Sequence, residues 1–126
     1  MEDQDLIRKA TEVLANAYAP YSQFRVGACA VTPEGEIFTG CNVENASLGL
    51  TICAERAAIF AAVAHGRKKI DKIVVVGDRA DKPALPCGAC LQVMNEFGVE
   101  TVVVATVGRL PTRYALADLL PRPFSF

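Results

Sequence analysis

The stretch that decides the fold begins with the β-branched run Lys72-Ile-Val-Val-Val76 and ends with a second such run, Glu100-Thr-Val-Val-Val-Ala-Thr106. Between them lies Pro86-Cys-Gly-Ala-Cys90, followed by apolar residues at helical spacing up to Gly98. Continuous apolar runs of this length are typical of strands that are covered on both faces, as in parallel sheets. A helix that begins at the cysteines and ends at the glycine would connect them. The pattern therefore predicts a strand, a crossover helix and a parallel strand.

The segments around this unit predict a hairpin and further helices. Apolar residues recur at three- and four-residue steps near the N-terminus, and Pro33 and Gly35 mark a tight turn between two β-prone runs. The predicted elements are a helix over residues 4–18, strands over residues 24–31 and 36–42, a helix over residues 53–65, a short segment around Tyr114 and a helix over residues 115–120. The second helix is apolar on nearly every side and should be buried. We expect an α/β fold with a mixed central sheet, helices on both faces, and one domain over residues 1–126.

The composition excludes several classes of protein. The chain has 126 residues, of which 52% are hydrophobic and 21% charged, so it can bury a core without disulfides and is not disordered. Its 13 basic and 14 acidic residues supply no basic surface for phosphate backbones, so nucleic acid is not an expected partner. The N-terminus is acidic and no apolar stretch approaches the ~20 residues of a membrane span. These features predict a soluble, cytoplasmic protein with no membrane partner.

Five cysteines direct attention to metal or thiolate chemistry, because an odd number in an intracellular chain cannot all form disulfides. Cys29 and Cys41 lie among apolar neighbours in predicted strands and are expected to be buried small hydrophobes. Cys87 and Cys90 share a face in the first turn of their helix, and Cys53 begins the preceding helix, so all three sulfurs can approach one point. Three ligands would leave one position of a zinc tetrahedron open for water, as in hydrolytic sites.

Two further residues differ in whether they can reach this point. Glu55 cannot share a helix face with Cys53, but both side chains lean towards the helix N-terminus, where Glu55 can act as an unligated carboxylate beside water. His65 lies roughly 18 Å from Cys53 along the same helix at ~1.5 Å per residue and cannot be a fourth ligand. Taken alone, Cys87 and Cys90 are also typical of a redox pair or of half a structural zinc site.

Four blocks of the sequence resemble the small, homotetrameric cytidine deaminases. The blocks are Pro20-Tyr-Ser-Gln-Phe-Arg-Val-Gly-Ala28, Cys41-Asn-Val-Glu-Asn-Ala-Ser47, Thr51-Ile-Cys-Ala-Glu-Arg-Ala-Ala58 and Pro86-Cys-Gly-Ala-Cys90. Their order and spacing match the family over nearly the whole chain, and the cysteine and glutamate signature is that of zinc deaminases. The resemblance implies a three-layer sandwich. It also implies hydrolytic deamination of cytidine and deoxycytidine to uridine and deoxyuridine, with release of ammonia, in pyrimidine salvage.

The resemblance also implies roles at the reaction centre. Cys53, Cys87 and Cys90 would bind Zn²⁺. Glu55 would shuttle protons, first from bound water to N3 of cytosine and then to the departing amine, while hydroxide attacks C4. Arg56 has a physical role of its own, because three thiolates and Zn²⁺ sum to a formal charge of −1, and a guanidinium bonded to the sulfurs would withdraw part of it.

The matched substrate-binding residues follow from the same resemblance. Asn42 and Glu44 would bind the ribose, and their spacing on an extended segment independently places both side chains on one side. Phe24 would lie against the base, and the backbone around Ala54 would meet the pyrimidine edge. A C-terminal aromatic, Phe124 or alternatively Phe126, would reach the pocket of a neighbouring subunit in a homotetramer. The expected ligand is a free nucleoside, because these motifs contain no cluster of Lys or Arg for a phosphate.

Two positions depart from the family pattern. Leu91 stands where the family usually has Arg, which leaves open any second arginine near the site, and Leu48 stands where an aromatic is frequent at the rim between subunits. One alternative is therefore a relative that deaminates another aminopyrimidine, such as a cytosine-bearing antibiotic. Alternatives of other classes are a non-catalytic, zinc-stabilised binding module and a thiol redox protein. Glu55 argues against both, because an acidic residue beside an anionic cluster is hard to explain without proton transfer.

Overall fold

A central sheet of five strands organises the chain, which the computed structural model describes from Met1 to Phe126. The strands are β1 (Val26–Val31), β2 (Ile37–Cys41), β3 (Lys72–Gly77), β4 (Thr101–Thr106) and β5 (Thr112–Ala115), and the helices are α1 (Asp3–Leu14), α2 (Ala54–Ala64), α3 (Gly88–Glu96) and α4 (Leu116–Leu119). A single 3₁₀ turn covers Leu48–Leu50. The sheet order is β2-β1-β3-β4-β5.

The crossover unit predicted from the sequence is present. Strands β3 and β4 pair in parallel, from Lys72 opposite Thr101 to Gly77 opposite Thr106, and α3 connects them. All other strand pairs are antiparallel, so the sheet is mixed. The hairpin of β1 and β2 joins the sheet because β1 also pairs with β3.

Helices cover both faces of the sheet, which confirms the predicted α/β class with its three layers. On one face, Leu6, Ala10 and Leu14 of α1 pack on Val74 and Val103. On the other face, the helices α2, α3 and α4 enclose a larger core that includes Ile59, Met94, Leu116, Val75 and Val102. Ile59 and Met94 are fully buried, and each side chain of this kind contributes about 1.5–3 kcal/mol.

Gly40 of β2 allows α2 to approach the sheet closely. A Cβ atom at this position would lie 2.4 Å from the backbone N of Ala58 and 2.8 Å from the backbone O of Ala54. No real side chain fits such a gap, so only glycine permits this distance between α2 and β2. The N-terminal end of α2 is thereby held against the sheet.

Three elements differ from the sequence-based expectation. The first helix ends at Leu14 rather than near Tyr18, because Tyr18 is extended and pairs with Val43. The segment around Tyr114 is the short strand β5 on the edge of the sheet. The second helix is not buried on every side within one chain, since Phe60 remains 46% exposed. None of the helices combines the length and the apolar character needed to span a membrane.

Candidate functional site

Three cysteines meet where α2 and α3 begin. Cys53 is the residue just before α2, Cys87 is the residue just before α3, and Cys90 lies in the first turn of α3. The Sγ atoms of Cys53 and Cys87 are 4.0 Å apart, those of Cys87 and Cys90 are 3.6 Å apart, and all three lie within 4.8 Å of one another. The positive ends of two helix dipoles therefore face a cluster of three potential thiolates.

These sulfur positions fit a tetrahedral zinc ion. A Zn–S bond of about 2.3 Å requires sulfurs roughly 3.8 Å apart in a tetrahedron, and the two measured distances lie on either side of this value. The cysteines are thus positioned to bind a metal ion with three thiolates. The other two cysteines lie elsewhere: Cys29 is buried under α1, where burial raises the pKa of its thiol to about 11, and Cys41 is partly buried in β2.

The thiols differ strongly in acidity when no metal is bound. Hydrogen bonding with Cys90, and then with Arg56, lowers the pKa of the Cys53 thiol to about 5 although burial opposes this. The same hydrogen bond with Cys53, together with burial, raises the pKa of Cys90. A proton shared by these thiols is therefore held on Cys90 in preference to Cys53, and a metal ion would have to displace it.

Glu55 lies beside this cluster and is only 4% exposed. Burial, assisted by the negative charge of Cys53, raises the pKa of its carboxyl group to about 7. A group with such a pKa exchanges protons readily at neutral pH, which is what a general acid/base requires. Arg56, the next residue, donates a hydrogen bond from Nη2 to Cys53 Sγ at 3.4 Å, and this bond raises the pKa of the guanidinium.

A pocket of about 250 Å³ opens beside the three sulfurs. Its lining includes most of the residues to which the sequence assigns a role, namely Phe24, Asn42, Glu44, Cys53, Ala54, Glu55 and Cys87. Ala54 is the first residue of α2, so its backbone N–H has no acceptor within the helix and is available to a ligand. The pocket thus joins the cysteine cluster to the side chains predicted to bind a nucleoside.

Asn42 and Glu44 both line this pocket, are buried, and are held by defined hydrogen bonds. Asn42 Oδ1 accepts from the N–H of Val26 at 2.9 Å, and Asn42 Nδ2 donates to the carbonyl of Phe24 at 2.9 Å. One further N–H and one lone pair of the amide remain for a ligand. Asn42 therefore combines a structural role with a potential binding role.

Glu44 accepts hydrogen bonds from the loop that precedes β1. Its Oε1 accepts from the backbone N–H groups of Tyr21 at 2.9 Å and Ser22 at 3.1 Å, and its Oε2 accepts from Ser22 Oγ. Burial opposes ionisation of Glu44, but the hydrogen bonds from Ser22 and Tyr21 outweigh it and lower the pKa of the carboxyl group. Glu44 is consequently an ionised acceptor at neutral pH, with lone pairs left for hydroxyl groups.

Several predicted residues lie outside this pocket. Phe124 is 67% exposed and packs against Phe126, with ring centroids 5.2 Å apart, at the C-terminal end of the chain. Leu48 is 71% exposed, whereas Leu91 is 9% exposed and belongs to the core beneath α3. His65 follows α2, where its Nδ1 lies 2.9 Å from the carbonyl of Ala61, far from the cysteines as the helix length predicts.

The sequence did not reveal several residues that also line the pocket. They are Ser22, Val26, Thr51, Lys82, Pro83, Ala84 and Leu85. Four of these residues belong to the loop between β3 and α3, which has no periodicity and no motif that would indicate its position. Ser22 lies within the first of the quoted blocks, and its hydroxyl could have been suggested as the partner of a nearby carboxylate.

Comparison with known proteins agrees with this geometry. Residues 1–106 match the family model described as the cytidine and deoxycytidylate deaminase zinc-binding region. A cytidine deaminase of Halalkalibacterium halodurans is 49% identical over 77% of this chain and 73% of its own length. A cytidine deaminase of Mycobacterium tuberculosis is 42% identical over 97% of this chain and 90% of its own length.

The solved structures give the same result for the three-dimensional fold. The crystal structure of cytidine deaminase from Burkholderia pseudomallei superposes with a TM-score of 0.91 and 46% sequence identity, and it covers 98% of this chain and 100% of its own. Agreement of this kind extends over the mixed five-stranded sheet and its helices. By its sequence, its fold and its cluster of three cysteines, this chain belongs to the cytidine and deoxycytidylate deaminase family.

Proposed function

We propose that this protein is a zinc-dependent hydrolase that converts cytidine and deoxycytidine to uridine and deoxyuridine and releases ammonia. The observation that carries the proposal is the cluster of three cysteine sulfurs within 4.8 Å, with the buried Glu55 beside it on the same pocket. Zinc bound by three thiolates would supply a hydroxide nucleophile near neutral pH. Cys53, Cys87 and Cys90 are the ligands in this proposal.

Glu55 is the proton carrier in this proposal. With a pKa of about 7, its carboxylate can take a proton from water and deliver it to N3 of the cytosine ring, where protonation makes C4 electrophilic. After hydroxide attacks C4, the carboxylate takes a second proton from the new C4 hydroxyl group and delivers it to the departing 4-amino group, so that ammonia leaves and the C4 carbonyl forms. Its burial keeps bulk water away from the proton during both transfers.

The remaining pocket residues bind and orient the nucleoside. Glu44 accepts hydrogen bonds from sugar hydroxyls, and the free donor and acceptor of Asn42 face the same sugar. Phe24 packs against the base, and the N–H of Ala54 bonds the pyrimidine edge. These contacts hold C4 over the cysteine cluster, and positioning of this kind accounts for a large part of enzymatic rate enhancement.

We further propose that residues 1–126 form one deaminase domain and that the active protein is a homotetramer. Phe60 on α2, Leu48 and Leu50 in the 3₁₀ turn, and Phe124 near the C-terminus are large apolar side chains that one chain leaves exposed. Exposed apolar surface of this extent is typical of interfaces. In the tetramer, Phe124 completes the pocket of a neighbouring copy. The enzyme would act in the cytoplasm, in pyrimidine salvage, without a nucleic-acid or membrane partner.

A relative acting on a different aminopyrimidine nucleoside is the second candidate. The exposed Leu48, where an aromatic is frequent in the family, is the observation that favours it. A panel of aminopyrimidine nucleosides compared with cytidine at equal concentration separates the two candidates.

The decisive experiment measures zinc content and loss of cytidine absorbance in the same sample. We expect one zinc per chain together with turnover of cytidine. Glu55→Gln should retain the zinc and the fold but lose about 10²–10⁴-fold in rate, because an amide can form hydrogen bonds but cannot carry the proton. The double substitution Cys87→Ala and Cys90→Ala should abolish zinc binding. Zinc unchanged by that substitution, or a Glu55→Gln variant as active as the parent, would contradict the proposal.

A further inference from the structure

The segment that carries Phe24 is held by an unusual set of side chains. The backbone N–H groups of residues 24–26 each donate to a side-chain oxygen: to Ser22 Oγ at 3.0 Å, to Asp78 Oδ1 at 3.1 Å and to Asn42 Oδ1 at 2.9 Å. Ser22 and Asn42 belong to the pocket already described. Asp78 directly follows β3, one of the two strands that pair with β1. Asp78 is therefore the one member of this set that does not line the pocket.

Asp78 binds Arg25 through three separate contacts. Asp78 Oδ1 accepts from the Arg25 backbone N–H, Asp78 Oδ2 accepts from Arg25 Nε at 3.0 Å, and the Asp78 backbone N–H donates to the Arg25 carbonyl at 3.2 Å. The side chain of Asp78 is 20% exposed, so water competes only partly for these bonds. These three hydrogen bonds between Arg25 and Asp78, which we call the clamp, lie immediately next to Phe24.

The position of this clamp in the sheet explains why it is needed. Strands β1 and β3 pair up to Val26 opposite Gly77, and the ladder ends there. Phe24 and Arg25 therefore lie beyond the last strand pair. One backbone hydrogen bond continues past the ladder, from the Asp78 N–H to the Arg25 carbonyl, while the Arg25 N–H donates to the carboxylate of Asp78 instead of to a backbone carbonyl.

The ring of Phe24 lies directly over Gly77. A Cβ atom on Gly77 would come within 2.7 Å of two ring atoms of Phe24 and within 3.1 Å of the methyl group of Ala84. The ammonium group of Lys82 lies 5.2 Å from the ring centroid. Residues that follow the end of β3 thus surround the ring, which reaches the pocket only because Gly77 has no side chain.

We propose that Asp78 is a positioning residue that holds the Phe24 ring over Gly77 and thereby sets the place of the base in the pocket. The inference rests on the proposed function in one respect, namely that Phe24 contacts the base of the substrate. Asp78 itself touches neither substrate nor metal ligands in this proposal, and it acts through the backbone of Arg25. Its loss should weaken nucleoside binding and leave the chemical step nearly unchanged.

The placement of the ring can be tested without activity. A phenyl ring shifts the NMR signal of a methyl group nearby, so the Ala84 methyl signal reports the position of Phe24. Asp78→Ala in the zinc-loaded protein should move this signal towards that of Phe24→Ala. Asp81→Ala is the matched control, because Asp81 lies on the same loop, is 69% exposed and pairs with Arg79 instead. An Ala84 signal unchanged by Asp78→Ala would overturn the proposal.

Two further variants keep this test informative if Asp78→Ala folds poorly. Asp78→Asn retains an oxygen that can accept from the Arg25 N–H, so we expect it to preserve most of the Ala84 shift. Gly77→Ala leaves Asp78 intact but fills the space under the ring, so we expect it to displace the ring. Two outcomes would contradict the proposed position of the Phe24 ring. One is an unchanged Ala84 signal in Gly77→Ala, and the other is an Ala84 signal in Asp78→Asn that shifts as far as it does in Phe24→Ala.

Kinetics then connect the ring position to the substrate. Asp78→Ala should raise KM for cytidine by up to about tenfold, the equivalent of losing one aromatic contact, with kcat little changed. In a Phe24→Ala background the same substitution should have no further effect on KM, because its effect passes through the ring. Independent, multiplying effects would overturn the proposal. If the parent does not turn over cytidine, the proposed function fails, while the Ala84 signal still decides the role of Asp78.

Discussion

Arg56 Nη2 donates a hydrogen bond to the Sγ atom of Cys53, three residues earlier, at 3.4 Å. The guanidinium is thus fixed beside the cysteine at the start of α2, and its Nε atom is buried without a hydrogen-bond partner in the chain. Arg56 is one reason why the pKa of the Cys53 thiol falls to about 5, after the hydrogen bond with Cys90. A positive charge at this point also offsets the excess negative charge of three thiolates around a divalent ion.

Removal of the guanidinium should therefore lower activity more than it lowers metal content. We expect Arg56→Gln to retain zinc but to lose about 10–100-fold in kcat, the usual cost of removing a partner of a metal ligand. In the metal-free protein, Cys53 should be less reactive towards iodoacetamide at pH 6, since the pKa of its thiol moves back up. Mass spectrometry of the labelled peptide measures this. Arg8→Gln, which breaks an exposed ion pair with Asp5, is the control. A fully active Arg56→Gln variant would show that the charge is dispensable.

Glu44 should contribute to stability in a pH-dependent way. Its folded-state pKa is lowered, so its contribution is fully present above the ordinary carboxyl pKa of 4.5 and is lost as the pH falls through the folded-state value. We expect Glu44→Gln to reduce the free energy of unfolding by about 1–3 kcal/mol at pH 7, because charged hydrogen bonds to Tyr21 and Ser22 are weakened. At pH 3.5 the difference from the parent should be smaller.

Urea unfolding at both pH values, at one protein concentration and with zinc bound, measures this difference. Glu34→Gln is the matched control, because Glu34 is an exposed carboxylate in the turn between β1 and β2. A loss of stability that is equal at the two pH values would mean that packing, rather than ionisation, explains the effect of the Glu44 substitution.

The crossover unit and the cysteine cluster could be predicted because local patterns determine them. Two continuous apolar runs indicate parallel strands whatever surrounds them, and cysteines at two helix starts need only helix geometry to converge. The end of α1 could not be predicted in this way. The helical stripe continues to Tyr18, but backbone pairing with Val43, a residue 25 positions away, competes with the last helical turn and prevails.

The pocket residues in the loop between β3 and α3 could not be predicted from the sequence either. Lys82 and Leu85 lie in a loop without periodicity, so no sequence pattern indicates that they line the pocket. The clamp between Asp78 and Arg25 joins residues 53 positions apart and continues the register of β1 against β3. The reactive residues at helix ends can thus be predicted from a sequence. The residues that orient them can be identified only when the pairing of the strands is known.

The exposure of Phe60 leads to a prediction about assembly. Its helix packs on the sheet through Ala58, Ile59 and Ala62, and Phe60 points away from this contact with 46% of its surface exposed. We expect Phe60→Asp to convert a homotetramer into smaller species, because a charge would be buried without a partner at the interface. Sedimentation velocity measures this. Leu110→Asp, at a position 90% exposed in the turn before β5, is the control. A parent protein that sediments as a 13.5 kDa monomer would contradict the tetramer.

Substrate charge provides the last prediction, which depends on the cations at the pocket. Arg25 lies next to Phe24, but its Nε is bound to Asp78. Lys82 is instead the one positively charged residue that lines the pocket, and its ammonium group lies beside the ring of Phe24. A single cation near the base cannot offset the negative charges of Glu44, Glu55 and the thiolates around a phosphate on the sugar. An unpaired charge in such a site costs several kcal/mol.

We therefore expect turnover of cytidine and deoxycytidine, and little turnover of cytidine 5′-monophosphate at the same low concentration. Free cytosine should also react poorly, because the base would lose the sugar contacts to Asn42 and Glu44 that orient it. If the monophosphate reacts as fast as cytidine, the assignment of a nucleoside substrate is wrong. Lys82→Met would then show whether this lysine binds the phosphate, because it removes the charge and retains most of the apolar stem.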